Sequence, residues 1–166
     1  GVGKTSACRA LQQLLPNSVF LDGDWCWNIH PFQVTEETKA LVLDNICYLL
    51  NRFLRCSLVE SVIFCWVMDL QSTLDEILSR LDTSDCRVKS ISLVCHPEVL
   101  LKRLQKDVDE GLREPDILER APARLSRYGA LDTVKLDVLA STPQEVAMQI
   151  AAQQTGCAMM GGRDSP

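Results

Sequence analysis

"GVGKTS" (residues 1–6) opens the chain, and the role given to these six residues sets the expected architecture of all the rest. A phosphate-binding loop is written G-x-x-x-x-G-K-[ST]; Gly3, Lys4 and Thr5 supply its last three letters, and Gly1 takes the small-residue position before them. Each letter has a physical task. Glycines let successive backbone N–H groups turn inward around an anion, the lysine reaches the terminal phosphates, and the hydroxyl binds Mg2+. Gly1, Val2, Gly3, Lys4, Thr5 and Ser6 are therefore candidate nucleotide contacts, with Thr5 as a metal ligand. The shortened rule G-x-G-K-[ST] arises by accident in a chain of this length about one time in a hundred, from average residue frequencies. A helix predicted from Lys4 to Leu15 adds its positive end at the same point. The bland alternative is a Gly-rich N-terminal arm carrying a chance lysine.

The first glycine of the full rule falls before residue 1, and so does the strand that leads into such a loop. That strand lies in the middle of a sheet, its N–H and C=O groups paired on both sides. A chain without it leaves two strand edges unpaired, which is costly and prone to aggregation. The expectation is a fragment of a longer protein, with the first central strand lacking.

Composition excludes several classes. With 166 residues the chain fits one domain,. Hydrophobic residues at 46% and charged residues at 23% mark an ordinary globular protein rather than a disordered or fibrous one,. A net charge of −5 gives no field that would draw nucleic acid or an anionic membrane,. The eight cysteines contain no C-x-x-C pair and lie mostly in apolar runs, so they read as reduced core thiols of a cytoplasmic protein, and a zinc site is disfavoured,. The longest apolar run, "VIFCWVM", falls far short of the roughly 20 residues of a spanning helix,.

Period and punctuation predict alternation. Val19 to Leu21 is a short strand ending in the turn "DGDW". Glu36 to Arg55 is a long amphipathic helix capped by Thr35. "SVIFCWVM" (61–68) reads as a strand buried on both faces, followed by a helix marked by Leu70, Leu74, Ile77, Leu78 and Leu81. "VKSISLVC" (88–95) is a strand, and the next helix is opened by Pro97 and closed by Gly111. "TVKLDV" (133–138) is the last strand. Its successor helix starts at "TPQE", with Thr142 capping, Pro143 in the first helical position and Glu145 completing a capping box. The expected architecture is α/β, a parallel sheet covered by helices on both sides, with ligands at the carboxyl ends of the strands. The domain spans 1–152, and a frayed tail runs from 153.

With "GVGKTS", "FLDGDW" (20–25) and the arginines near the chain's end in view, the sequence resembles the small P-loop kinases, the nucleoside and nucleotide kinase superfamily with its shikimate-, gluconate- and chloramphenicol-kinase-like members. The likeness covers roughly residues 1–152. It implies a three-layer P-loop fold, ATP and Mg2+ as cofactors, and an acidic turn facing the phosphate loop. Asp22 and Asp24 match that turn, where carboxylates of the sugar-acid kinase branch contact the acceptor or hydrated Mg2+; Asp24 is the metal-side candidate. "DGD" is equally good turn chemistry. Residues 97–128 resemble the lid over ATP, its mobile part at about 109–128. Arg113, Arg120, Arg124 and Arg127 are its arginines, the last two on a short helix expected to begin at Pro122. Guanidinium groups there would clamp the γ-oxygens during transfer. Arg113 and Arg124 are the first catalytic choices with Lys4, and Arg113 and Arg120 the nucleotide contacts; for each the plain alternative is a solvated surface charge. Arg103, beside Glu98 and Asp107, reads as surface.

Trp25, Trp27, His30 and Phe32 crowd the place where the family has its acceptor pocket, and either line it or seal that end of the core. Trp66 reads as core. Asp69 is a Mg2+-orienting carboxylate or a helix cap.

Absences narrow the activity. No N-K-x-D motif argues against a regulatory GTPase, and the strand ending "VMDL" lacks the adjacent acidic residues of a ring-forming AAA-type ATPase. A nucleotide acceptor would need arginines to hold its phosphate, yet Asp22 to Asn51 contains Lys39 and no arginine,. The expected activity is therefore transfer of the γ-phosphoryl group of MgATP to a hydroxyl of a nucleoside, sugar or antibiotic-like alcohol. A nucleoside monophosphate kinase and an inactive, truncated nucleotide-binding module are the alternatives. The partners implied are a small-molecule acceptor, with neither nucleic acid nor membrane.

Overall fold

Helix α1 (Lys4–Leu14) forms because an unbroken run of helix formers lies between Gly3 and Pro16,. In the computed structural model of the chain, residues 2–112, 114–139 and 141–155 are described. β1 (Ser18–Asp22) ends in a short 3-10 helix (Gly23–Trp27), and α2 (Glu36–Leu54) comes next. The Thr35 hydroxyl accepts from the Thr38 amide while the Thr38 hydroxyl takes up the Thr35 amide, a reciprocal cap with threonine in the usual glutamate position,. β2 (Ser61–Cys65), α3 (Gln71–Ser79), β3 (Ile91–Val94), α4 (Pro97–Asp109), α5 (Ile117–Ala130), β4 (Val134–Asp137) and α6 (Pro143–Thr155) complete the order. The predicted cap of α6 is present: the Glu145 carboxylate accepts from the Thr142 amide at 2.7 Å, and the Glu145 amide donates to the Thr142 hydroxyl at 3.2 Å. Gly111 closes α4 with φ 69°, in the left-handed region that glycine tolerates.

The strands are parallel, as expected for an α/β fold. β1 lies beside β2 with Ser18 opposite Ser61 and Asp22 opposite Cys65, and β3 lies beside β4 with Ile91 opposite Val134. The sheet is interrupted where the expectation of a lacking central strand puts the gap. Two separate two-stranded pairs form, and among the described residues no ladder joins them. β2 is accordingly not buried on both faces: Ile63 and Cys65 are buried while Val62 and Phe64 are half-buried. No strand leading into the phosphate loop occurs among the described residues, so β2 and β3 each keep an edge with no ladder partner there.

α1 packs on β1, β2 and α6. Leu11, Phe20, Ile63, Cys65 and Ala147 form the core beneath it. α2 contributes Val42, Ile46, Cys47 and Leu50 to a second cluster with Leu21 and Ile77, each large aliphatic there contributing about 1.5–3 kcal/mol. A third cluster joins Ala7 to Cys95, Leu100, Leu104, Val138 and Val146.

Four local expectations need correction. The strand predicted over 61–68 stops at Cys65, so Trp66 lies past its end and is half-buried. The helix expected to begin at Pro122 begins at Ile117 and carries Pro122 inside it, because the preceding turn, with amide bonds from Ile117 to Glu114 and Leu118 to Pro115, has already nucleated it. Cysteine burial is mixed: Cys47, Cys65 and Cys95 are buried, whereas Cys56 and Cys86 are exposed. α6 continues to Thr155, past the expected boundary at 152; the tail from 156 onward lies outside the described residues.

Candidate active site

Gly3 sits at φ 95° and ψ 19° and accepts the first helical bond from the Ala7 amide at 3.0 Å. Only glycine takes that conformation without strain. No side chain caps α1 and no acidic residue occupies its first turn, so its leading N–H groups keep the positive helix end for an external anion. Lys4 and Thr5 are the first two helical residues and Ser6 is exposed beside them. Val2 packs on the cluster around Ala7. Gly1 lies outside the described residues.

β1 delivers the acidic turn to this point. The Thr5 hydroxyl donates to Asp22 Oδ2 at 2.8 Å, and the Asp24 amide donates to Asp22 Oδ1 at 3.1 Å. Asp22 is buried, 6% exposed, with both oxygens engaged. The structure thus brings Asp22, rather than Asp24, against Thr5; Asp24 is exposed on the 3-10 helix. Gly23 between them is required by proximity. A Cβ there would lie 2.5 Å from Trp66 Cγ, well inside van der Waals contact.

The aromatic residues after the turn divide. Trp27 lies tilted at 6.2 Å from Trp66 and 5.9 Å from Phe32, donates its indole N–H to the Gln33 carbonyl at 3.2 Å, and packs on the α2 core. Trp25 meets Phe20 edge-on at 5.3 Å but stays 53% exposed, and Phe32 is 68% exposed. Core sealing accounts for Trp27 and Trp66, not for Trp25, Phe32 or the exposed His30. Trp25 instead borders an open cavity of about 660 Å3 along α1 with Ser6, Arg9, Gln13 and Pro143.

The arginines have partners. Arg120 pairs within its own helix with Asp116, Nε to Oδ2 at 3.0 Å. Arg127 Nη1 reaches Asp69 Oδ2 at 2.9 Å, and Arg124 Nε stands 3.8 Å from the same oxygen. Asp69 therefore does not cap α3: its N-cap residue is Leu70, with no side-chain bond. It fastens α5 to the segment between β2 and α3 instead. Beside them burial, and then the Asp69 charge, push the Tyr128 hydroxyl up, against an opposing effect of Arg124. Arg113 lies outside the described residues.

Arg103 departs from its surface reading. It is half-buried, its Nη2 donating to the Val138 and Leu139 carbonyls at 3.4 Å each. With Gly3, Ser6, Leu93, Ser141 and Pro143 it lines a cavity of about 220 Å3 that opens beside the loop. Helical spacing held the signal: Arg103 is three residues from the buried Leu100 and so shares its side of the helix,.

Among the described residues no group of three or more His, Cys, Asp or Glu is placed to hold a metal ion, and no helix is long and apolar enough to cross a membrane. A hydroxyl tied to a buried carboxylate next to a phosphate cradle fits Mg2+, which takes few protein ligands and keeps phosphate and water oxygens.

A protein-family model described as an AAA domain matches residues 1–121. No curated protein sequence matches the chain. Among solved structures, the Deinococcus radiodurans tunicamycin resistance protein is 22% identical with a TM-score of 0.65, covering 93% of this chain and 90% of its own. A sugar kinase from Janibacter sp. HTCC2649, in an unliganded structure, is 17% identical with a TM-score of 0.65, covering 92% and 87%. At these identities the likeness establishes the shared fold and leaves the chemistry to the site,.

Proposed function

The chain belongs to the AAA domain family of P-loop proteins, and from that premise we propose that it is an ATP-dependent kinase acting on a hydroxyl of a small, uncharged acceptor. The observation that carries this reading is the Thr5–Asp22 bond at 2.8 Å. It ties the hydroxyl in the metal position of the loop to the acidic turn from the neighbouring strand. Backbone amides of residues 1–6 and Lys4 hold the polyphosphate, and Arg103 borders the adjoining cavity where a base would enter. Mg2+ on Thr5 supplies charge neutralisation when bound.

Asp22 keeps Thr5 oriented. Asp24, exposed just beyond it, accepts the proton of the acceptor hydroxyl as the new O–P bond forms and the bridging O–P bond to the departing ADP breaks. Arg113, Arg120 and Arg124 of the lid meet the transferring phosphoryl group. An uncharged acceptor is supported by the lack of arginine between Asp22 and Asn51 and by the sugar-kinase neighbour. The free thiols support a cytoplasmic setting, with neither nucleic acid nor membrane as partner.

The reading is tested by a thermal shift with MgATP and by ATP consumption against a panel of sugars, nucleosides and antibiotic-like alcohols. Lys4→Ala should abolish the shift, and Asp24→Asn should suppress transfer with binding intact. An unchanged rate in Asp24→Asn rejects the base assignment, and the absence of any nucleotide-dependent shift rejects the enzyme. The unjoined strand pairs favour a second reading, a nucleotide-binding module without turnover, which predicts the shift but no consumption with any acceptor.

A further inference from the structure

We propose that the outward face of α2 is an interface at which two copies of the chain pair, helix against helix, about a twofold axis. Val42, Ile46, Cys47 and Leu50 turn one side of α2 into the core with Leu21 and Ile77. On the other side Glu37, Leu41, Tyr48 and Arg52 lie within about 60° of one another around the helix,. Leu41 is 49% exposed and Tyr48 is 66% exposed, and Glu37 and Arg52 are exposed beside them. A single exposed leucine is ordinary. A leucine and a tyrosine two turns apart, centred on the face opposite the core, make a patch.

The order of the four residues names the partner. Their spacing of four, seven and four reads the same from either end, so the face complements itself when a second α2 runs antiparallel to the first. Glu37 of one copy then faces Arg52 of the other, and Leu41 faces Tyr48, each contact being made twice. The acid and the base are available for this. Glu36 and Asp44 on the same helix are paired with Lys39 and Arg80, whereas among the described residues Glu37 and Arg52 take part in no ion pair. A parallel arrangement would set Glu37 against Glu37 and Arg52 against Arg52, so charge selects the antiparallel one.

The apolar side chains supply the attraction and the charges supply the register. Removing the exposed parts of two leucines and two tyrosines from water favours association. Ion pairs at a solvated rim add little affinity, but they make wrong alignments costly. A slip of one turn, about 5.4 Å, takes Glu37 off Arg52 and Leu41 off Tyr48 together. The face is one helix wide, so the complex is a reversible dimer of the small-interface class.

The test is sedimentation velocity of the whole chain from about 1 to 100 μM, a range that spans reversible complexes of this class. The expected result is a monomer–dimer equilibrium, weakened about tenfold by Tyr48→Gln and by each of Glu37→Arg and Arg52→Glu, with far-UV circular dichroism unchanged. An equimolar mixture of Glu37→Arg with Arg52→Glu should recover the wild-type association, because every acid again meets a base across the axis. A chain that stays monomeric throughout, a dimer indifferent to all three changes, or a mixture no tighter than either variant alone would each overturn the proposal. The first outcome leaves the face to a different protein, the second moves the interface elsewhere, and the third removes the antiparallel register. The wild-type measurement and the mixture stand even if Tyr48→Gln fails to fold, and none of these readouts needs a bound nucleotide.

Discussion

Asp69 holds Arg127, Oδ2 to Nη1 at 2.9 Å, across 58 residues of sequence. Through this carboxylate the helix α5, which carries Arg120, Arg124 and Arg127, is fastened to the segment between β2 and α3. The Asp69 side chain is 16% exposed while that of Arg127 is 54% exposed, so solvent screens the pair and its worth is about 1 kcal/mol or less. Asp69→Asn should therefore leave global stability nearly unchanged and speed amide exchange in α5 selectively. Unaltered exchange over Ile117–Ala130 would show that apolar packing, not the ion pair, seats that helix.

Gly23→Ala should be costly for a steric reason. The added methyl falls 2.5 Å from Trp66 Cγ, and the indole is held against Trp27 and the α2 core, so it has little room to yield. The expected loss is about 1–3 kcal/mol in a denaturant titration. Combined with Trp66→Leu the second change should cost less than it does alone, a non-additivity read from a double-mutant cycle.

Thr5→Val removes one of the two hydrogen bonds that Asp22 receives while keeping the side-chain volume. A buried carboxylate left short of a partner costs about 1–3 kcal/mol. Thr5→Ser keeps the hydroxyl and should keep stability. Equal melting temperatures for the two variants would mean that the bond contributes nothing to folding.

The Glu145 carboxyl lies below its ordinary range because it accepts from the Thr142 amide and then from the Thr142 hydroxyl. A carboxyl depressed on folding stabilises above its unfolded value, and the contribution disappears as pH falls through the lowered folded value. The start of α6 should thus loosen on acidification below the usual glutamate range. Amide exchange near Pro143 followed against pH should show this in the wild type, and Glu145→Gln should flatten the profile.

Much of the fold was legible because its signals are local. Thr35, Thr142 with Pro143 and Glu145, Pro97 and Gly111 mark helix ends through bonds or backbone angles that a few neighbouring residues determine. The same holds for Gly3, whose φ is set by the loop itself. The partners of Asp69 and Arg103 were not legible. Arg103 reaches a carbonyl 35 residues away, and no local period announces which distant group a charge will meet. The length of β2 and the start of α5 escaped for a related reason: an apolar run and a proline each permit two boundaries, and packing chooses between them.

By itself, then, the sequence determined the alternation of strands and helices, the caps that bound them and the left-handed glycine at the head of α1, since periodicity and backbone preference act over a few residues. Tertiary structure alone decided that Asp22 rather than Asp24 holds Thr5, that Trp66 forbids a side chain at position 23, and that β2 ends at Cys65. Those outcomes depend on which surfaces meet in space, and pairing between strands is a property of the whole assembled sheet.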